Sequence, residues 1–79
     1  MNRLDARTLD FFDRAVVSMI IEKYGMTDKD ALGSFINSET YKMLCDKDTE
    51  LYAFSPFVLM DMWESEKVTG NPRNSQYIR

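Results

Sequence analysis

The sequence predicts an all-α fold, a single small domain of three or four short helices packed around the first of them, with an irregular C-terminal tail. A chain of 79 residues holds one domain at most. Apolar residues recur at helical spacing over residues 9–24. A Ser-Pro pair at residues 55–56 is typical of a helix start and precedes a second apolar stripe. We therefore expect an N-terminal segment over residues 1–7, a helical core over 8–70 and a tail over 71–79.

The first helix is predicted over residues 9–24. Its apolar residues form one stripe at i, i+3 and i+4 spacing: Leu9, Phe12, Val16, Met19, Ile20 and Tyr24. Thr8 is the expected N-cap residue, and Gly25 stands where a helix can end in the left-handed conformation. Further apolar residues widen this surface: Phe11, Ala15, Val17 and Ile21. A helix that is apolar over most of its circumference is usually covered on two sides, so we expect the first helix to be the centre of the fold.

Two shorter helices are predicted next. Thr27, three residues before Asp30, resembles a capping box and predicts a helix start there. The expected inner face of this second helix consists of Ala31, Leu32, Phe35 and Ile36. Ser38 is the expected cap of a third helix, whose inner face would consist of Tyr41, Leu44 and Cys45. Residues 46–50 form a polar connection, and residues 51–54 are ambiguous between a strand and a helical turn; we expect an extended or turn segment.

The fourth helix is predicted to begin with Ser55 as N-cap and Pro56 at the first helical position. It continues to about Val68 and ends at Gly70. The expected inner stripe consists of Val58, Leu59, Met62 and Trp63, and the expected outer face of Asp61, Glu64 and Ser65. Phe57 and Met60 lie at the margin of the stripe, which makes them the expected exposed residues.

Composition excludes several kinds of chemistry. The chain has no histidine, and Cys45 is its single cysteine, so an internal disulfide and Ser-His-Asp or Cys-His catalysis are excluded. The same composition argues strongly against a structural zinc site, which needs four Cys or His ligands. Residues 46–50 resemble the start of a calcium loop, but Leu51 replaces the required glycine and Phe57 the required glutamate. We expect Cys45 to be a small core residue, and we expect no catalytic residue, no metal and no cofactor.

Acidic side chains on the fourth helix raise the question of a carboxylate site. Asp61, Glu64 and Glu66 scatter around the helix axis, so we expect a polar face instead. The net charge of −3 argues against binding to nucleic acid or to an anionic membrane. No secretion signal and no membrane-spanning stretch is visible, which predicts a cytoplasmic location.

Binding of another protein is the function that the sequence favours. The candidate partner-binding residues are Phe57, Met60, Trp63, Arg73, Asn74 and Tyr77. Methionine and aromatic side chains suit adaptable binding surfaces, and a small core favours a protein partner or a homo-oligomer. Two alternatives stay open: the methionines and aromatics of the fourth helix fill the core, and the tail packs across its own domain.

Several motifs of the chain resemble those of small uncharacterised bacterial helical proteins, a family defined by a domain of unknown function. They are Ile-Glu-Lys-Tyr-Gly (21–25), Met-Thr-x-x-Asp-Ala-Leu (26–32) and Ser-Glu-Thr-Tyr-Lys-Met-Leu (38–44), followed by the segment at 61–75. Such proteins are often encoded beside an ADP-ribosyltransferase-like protein, which implies an antitoxin-like or accessory role. We expect a non-enzymatic protein–protein interaction module with no small-molecule substrate. The alternative is a small helical DNA-binding regulator, although the predicted second and third helices are acidic.

Overall fold

Four α-helices follow one another in residues 3–75, the part of the chain that this computed structural model describes. They are α1 (Ala6–Tyr24), α2 (Asp28–Ile36), α3 (Glu39–Cys45) and α4 (Pro56–Thr69). Single 3₁₀ turns lie at Lys47–Thr49, Leu51–Ala53 and Pro72–Asn74. The prediction of a small all-α domain is confirmed. No helix of the described part is long and apolar enough to cross a membrane.

Helix α1 lies at the centre, in contact with α2 along one side and α4 along the other. Its buried residues are Leu9, Phe12, Val16 and Ile20, four of the six predicted stripe positions. Met19 is half-buried, and Tyr24, at the last turn, is half exposed. The wider apolar surface is not fully covered, because Phe11 on the side away from both neighbours is 58% exposed.

The predicted N-cap residue of α1 is wrong, and the predicted C-terminal glycine is confirmed. The N-cap residue is Asp5, not Thr8, and the Thr8 hydroxyl donates to the Asp5 carboxylate at 2.7 Å. The helix begins earlier because Leu4 is buried and its N–H donates to the carbonyl of Cys45 at 2.9 Å, a contact distant in sequence. At the other end Gly25 has φ +67° and donates to the carbonyl of Ile21, as predicted.

Both caps predicted for α2 and α3 are confirmed. The Thr27 hydroxyl accepts from the N–H of Asp30, and the Ser38 hydroxyl accepts from the N–H of Tyr41. The inner face of α2 is narrower than predicted: it buries Ala31 and Phe35, whereas Leu32 and Ile36 remain about 40% exposed. Helix α2 packs mainly against α1, and a single neighbour covers only one stripe of a helix.

Helix α3 and the following segment fill one end of the domain. Helix α3 buries Thr40 and Leu44 and leaves Tyr41 and Cys45 half-buried, so the predicted inner face is only partly right. The segment at residues 51–54, which we expect to be extended or a turn, forms a turn. This turn places Leu51 in the core.

Helix α4 buries its predicted stripe of Val58, Leu59, Met62 and Trp63. Met60 is also buried, at 6% exposure, so the expectation of an exposed Met60 is wrong. Because α1, α3 and the Pro72–Asn74 turn all pack on α4, more than one stripe of this helix is covered. Ser55 stands at the N-cap position, but its side chain makes no cap hydrogen bond.

The chain folds back after Gly70, whose φ of +81° allows the reversal. Pro72 and Ser75 are buried, and the Ser75 hydroxyl donates to the Asp61 carboxylate at 2.5 Å. The predicted irregular tail is therefore, over residues 71–75, a 3₁₀ turn packed on α4. The remaining tail residues, including the predicted partner-binding residue Tyr77, lie outside the described residues.

Candidate interaction surface

An open groove runs between α1 and α4 and has a volume of about 500 Å³. Its lining residues are Met19, Glu22 and Lys23 from α1 and Phe57, Met60, Asp61 and Glu64 from α4. The α4 residues recur at i, i+3, i+4 and i+7, so they share one face of that helix. We refer to this set as the α1/α4 groove.

Methionine and phenylalanine form the apolar part of the groove. Met60 is buried and forms the floor, together with half-buried Met19. Phe57 follows Pro56 in the first turn of α4, and it is 70% exposed. A ring of this size at such exposure leaves a large apolar area in water. The groove therefore combines an accessible aromatic ring with an adaptable methionine floor.

Glu64 joins the two helices at one end of the groove. Its carboxylate accepts from the Lys23 ammonium at 2.6 Å and from the Tyr24 hydroxyl. Burial would raise the pKa of Glu64, but the hydrogen bonds from Lys23 and Tyr24 outweigh burial and hold the pKa below its ordinary value. The hydrogen bond to Glu64 raises the pKa of Lys23, and that of Tyr24 as well. This contact keeps Glu64 and Lys23 charged and fixes the position of α1 against α4.

The remaining rim of the α1/α4 groove is acidic. Asp61 accepts a hydrogen bond from the Ser75 hydroxyl and forms no ion pair with residues 3–75. Glu22 is exposed and forms no ion pair with residues 3–75. Three carboxylates and a single ammonium group thus surround the apolar floor.

The six predicted partner-binding residues do not form one surface. Phe57 and Met60 line the groove together, Phe57 exposed and Met60 as its floor. Trp63 is only 4% exposed: its indole N–H donates to the carbonyl of Ser34, and the Lys67 ammonium covers its ring at 5.4 Å. As the structure stands, Trp63 offers a partner almost no surface.

The tail candidates lie apart from the groove. Arg73 is exposed on the Pro72–Asn74 turn and does not line the groove, and the side chain of Asn74 is outside the description, as is Tyr77. Met19 and Glu22 were missed as site residues. Helical spacing places Met19 on the inner stripe and Glu22 on the solvent strip, and no local signal shows that both face α4.

A second cluster surrounds Cys45 at the C-terminal end of α3. Arg3, Tyr41 and Cys45 line a cavity of about 580 Å³. Burial raises the pKa of the Cys45 thiol, and burial together with the charge of Asp13 raises the pKa of Tyr41 to about 12. A protonated thiol is a poor nucleophile, so this arrangement does not favour covalent chemistry.

The carboxylates of α4 are tertiary hydrogen-bond acceptors rather than a solvated polar face. Asp61 binds Ser75, Glu64 binds Lys23 and Tyr24, and Glu66 binds the first turn of α3. Within residues 3–75, no group of three or more acidic or cysteine side chains is placed to hold a metal ion. Comparisons of the chain with protein-family models, curated proteins and solved structures gave no match. What the protein binds therefore has to be inferred from its own surface.

Proposed function

We propose that this protein is a non-enzymatic interaction module that docks a separately encoded protein in the α1/α4 groove. The observation that carries the proposal is the exposure of Phe57, 70% accessible beside a groove with a methionine floor. Burying such a ring contributes about 1.5–3 kcal/mol. Because Phe57 stays mostly exposed after folding, most of this free energy remains to be gained when a docked partner covers the ring.

The segment that precedes α4 exposes two further aromatic side chains, neither of which lines the α1/α4 groove. Tyr52 and Phe54, just before α4, are both more than one-third exposed. Aromatic residues are enriched in the centres of protein interfaces, and methionine side chains adapt to the shape of a partner. An aromatic edge next to a methionine floor therefore suits a protein ligand better than a small polar one.

The chemistry of the chain supports binding over catalysis. There is no histidine, and the raised pKa of Cys45 keeps its thiol protonated. The resemblance to small bacterial proteins adds an antitoxin-like or accessory role in the cytoplasm to the proposal. The DNA-binding alternative has no support from the groove, because carboxylates at its rim would repel a phosphate backbone.

The proposal is tested by photo-crosslinking in the cells that produce the protein. A benzophenone amino acid replaces Phe57 in one variant and Val68 in the control. Val68 lies on the same helix and is 85% exposed, but it does not line the groove. We expect a discrete adduct with another protein from position 57 and none from position 68. Equal labelling at both positions, or no adduct from position 57, would contradict the proposed function.

A further inference from the structure

We infer that the α1/α4 groove takes a cationic amphipathic helix of another protein. Its apolar stripe would lie against the exposed ring of Phe57 and the half-buried Met19, above the buried Met60, and its lysine or arginine side chains would reach the carboxylates at the rim. This inference rests on the proposed function, because it specifies the partner of the same groove. A groove between two helices with an apolar floor is a common docking site for an amphipathic helix.

Charge complementarity identifies the partner as basic. The groove is lined by Glu22, Asp61 and Glu64 against Lys23 alone. The Lys23 ammonium lies 2.6 Å from Glu64, so these two charges neutralise each other. Glu22 and Asp61 then leave two uncompensated negative charges beside the apolar floor. Complementary charge steers association and discriminates against partners of the same sign.

Both uncompensated carboxylates are accessible to a new cation without loss of an ion pair. Glu22 is exposed and forms no ion pair within the described part of the chain. Asp61 is half-buried and hydrogen-bonded to the Ser75 hydroxyl, which an incoming ammonium or guanidinium group does not have to displace, since a carboxylate accepts several hydrogen bonds. A basic side chain therefore gains a contact at each position.

The four described helices of a second copy do not offer the required basic face. In each of the four helices the acidic side chains equal or outnumber the basic ones. Helices α1 and α3 are each neutral as a whole, and Arg14 of α1 and Lys42 of α3 are already paired with Asp10 and Glu39. The complementary helix therefore belongs to a different protein.

Two synthetic helical peptides test the inference on the full chain. They share one leucine stripe and differ in the polar face, which is lysine in the first and glutamate in the second. We expect the lysine peptide to shift the methyl NMR signals of Met19 and Met60, and the glutamate peptide to leave them unchanged. Binding of the lysine peptide should weaken at about 500 mM salt, because salt screens charges at the rim.

A matched pair of charge-neutralising variants locates the effect. Glu22→Gln should weaken binding of the lysine peptide about threefold, the scale of one partly exposed ion pair. Glu50→Gln makes the same change at an exposed position that does not line the groove, and it should leave the affinity unchanged. Neither side chain forms an ion pair with residues 3–75, so both variants should fold.

The remaining outcomes separate this inference from the proposed function. Equal or tighter binding of the glutamate peptide would overturn the basic partner but leave the groove as a docking site. Failure of the lysine peptide to shift Met19 and Met60 would overturn the inference, even with an adduct from position 57. A dimer of the free protein that Phe57→Ser converts to monomer would assign the groove to a second copy and likewise overturn it. Absence of the adduct is the separate result that removes the proposed function.

Discussion

The Glu66 carboxylate of α4 accepts hydrogen bonds from Thr40 and so caps the N-terminus of α3. One oxygen of the Glu66 carboxylate accepts from both the N–H and the hydroxyl of Thr40 at 2.9 Å, and the other accepts from the N–H of Glu39 at 2.9 Å. The first N–H groups of a helix have no partner within it, and a carboxylate there also interacts favourably with the helix dipole. Since Ser38 satisfies the N–H of Tyr41, the start of α3 is capped from two sides.

Removing the charge of Glu66 should destabilise the protein. Glu66→Gln weakens three hydrogen bonds at a half-buried site, and we expect a loss of about 1–2 kcal/mol in the free energy of unfolding. Glu39→Gln removes an exposed ion pair with Lys42 and a solvent-screened charge in the first turn of α3, and it should change that free energy by less than about 1 kcal/mol. Chemical denaturation of both variants measures the difference. Equal effects would show that the contact with α3 contributes little.

The Glu66 contact also predicts a loss of stability in acid. Burial would raise the pKa of Glu66, but the donors on Glu39 and Thr40 outweigh burial and lower the pKa from its ordinary 4.5. A lowered pKa in the folded state stabilises the protein at pH values above the ordinary pKa of the group. This contribution is lost as pH falls from the ordinary pKa through the folded-state pKa. Denaturation between pH 7 and pH 3 should therefore show a smaller gap between wild type and Glu66→Gln at the acid end. A constant gap would contradict this.

Asp13 should behave in the opposite way. Burial raises its pKa above 3.8, the charge of Asp10 adds to the shift, and the Tyr41 hydroxyl only partly offsets it. One carboxylate oxygen of Asp13 is buried with no hydrogen-bond partner in the described structure. A raised pKa in the folded state adds stability at pH values below the ordinary pKa of the group, and this stability is lost as pH rises through the folded-state pKa. The ionised carboxylate is therefore unfavourable in the folded protein at neutral pH.

Asp13→Asn should accordingly stabilise the protein at pH 7. We expect a gain of up to about 1 kcal/mol, limited because the side chain is partly exposed and screened by solvent. The gain should shrink as pH falls below 3.8, where the wild-type carboxyl is protonated in both states. Thermal melts of the two proteins at pH 7 and pH 3 measure this. A less stable variant at pH 7 would mean that Tyr41 holds the carboxylate more strongly than burial opposes it.

The centre of α1 should tolerate no charge. Val16 has no exposed surface, so Val16→Asp places an unpaired carboxylate in the core and should cost about 3 kcal/mol or more. Arg14→Ala removes a surface ion pair with Asp10 and should cost less than about 1 kcal/mol. Circular dichroism melts should show an unfolded or strongly destabilised Val16→Asp beside a nearly unchanged Arg14→Ala. Similar melts would refute the assignment of the buried face.

Two serines test the position of residues 71–75 on α4. Ser75 is fully buried and donates to Asp61, so Ser75→Ala should lower the free energy of unfolding by about 1–2 kcal/mol. Ser55 is exposed and makes no cap hydrogen bond through its side chain, so Ser55→Ala should have little effect. Urea denaturation measures both. Greater damage from Ser55→Ala would mean that the local helix-start pattern outweighs the tertiary contact.

Local signals in the sequence account for the helices and most of their ends. Thr27, Ser38, Gly25 and Gly70 act on backbone groups only a few residues away, so their roles follow from the residues alone. The buried stripe of α4 is predictable for the same reason, because helical periodicity sets which side chains share a face. Periodicity also places Met19 on the inner stripe and Glu22 on the solvent strip of α1. It does not show that both border the same groove.

Contacts between distant parts of the chain decided the rest. Leu4 pairs with Cys45 and moves the start of α1, and the turn after Gly70 returns Ser75 to Asp61. Met60 is buried because three elements pack on α4, and Phe57, three residues earlier, is left exposed. Which side of a helix is covered depends on the neighbours that reach it, and neighbours distant in sequence leave no mark on the local pattern. The sequence by itself determined the class of the fold and the helices; only the tertiary structure decided that Met19, Glu22, Phe57 and Met60 form one groove.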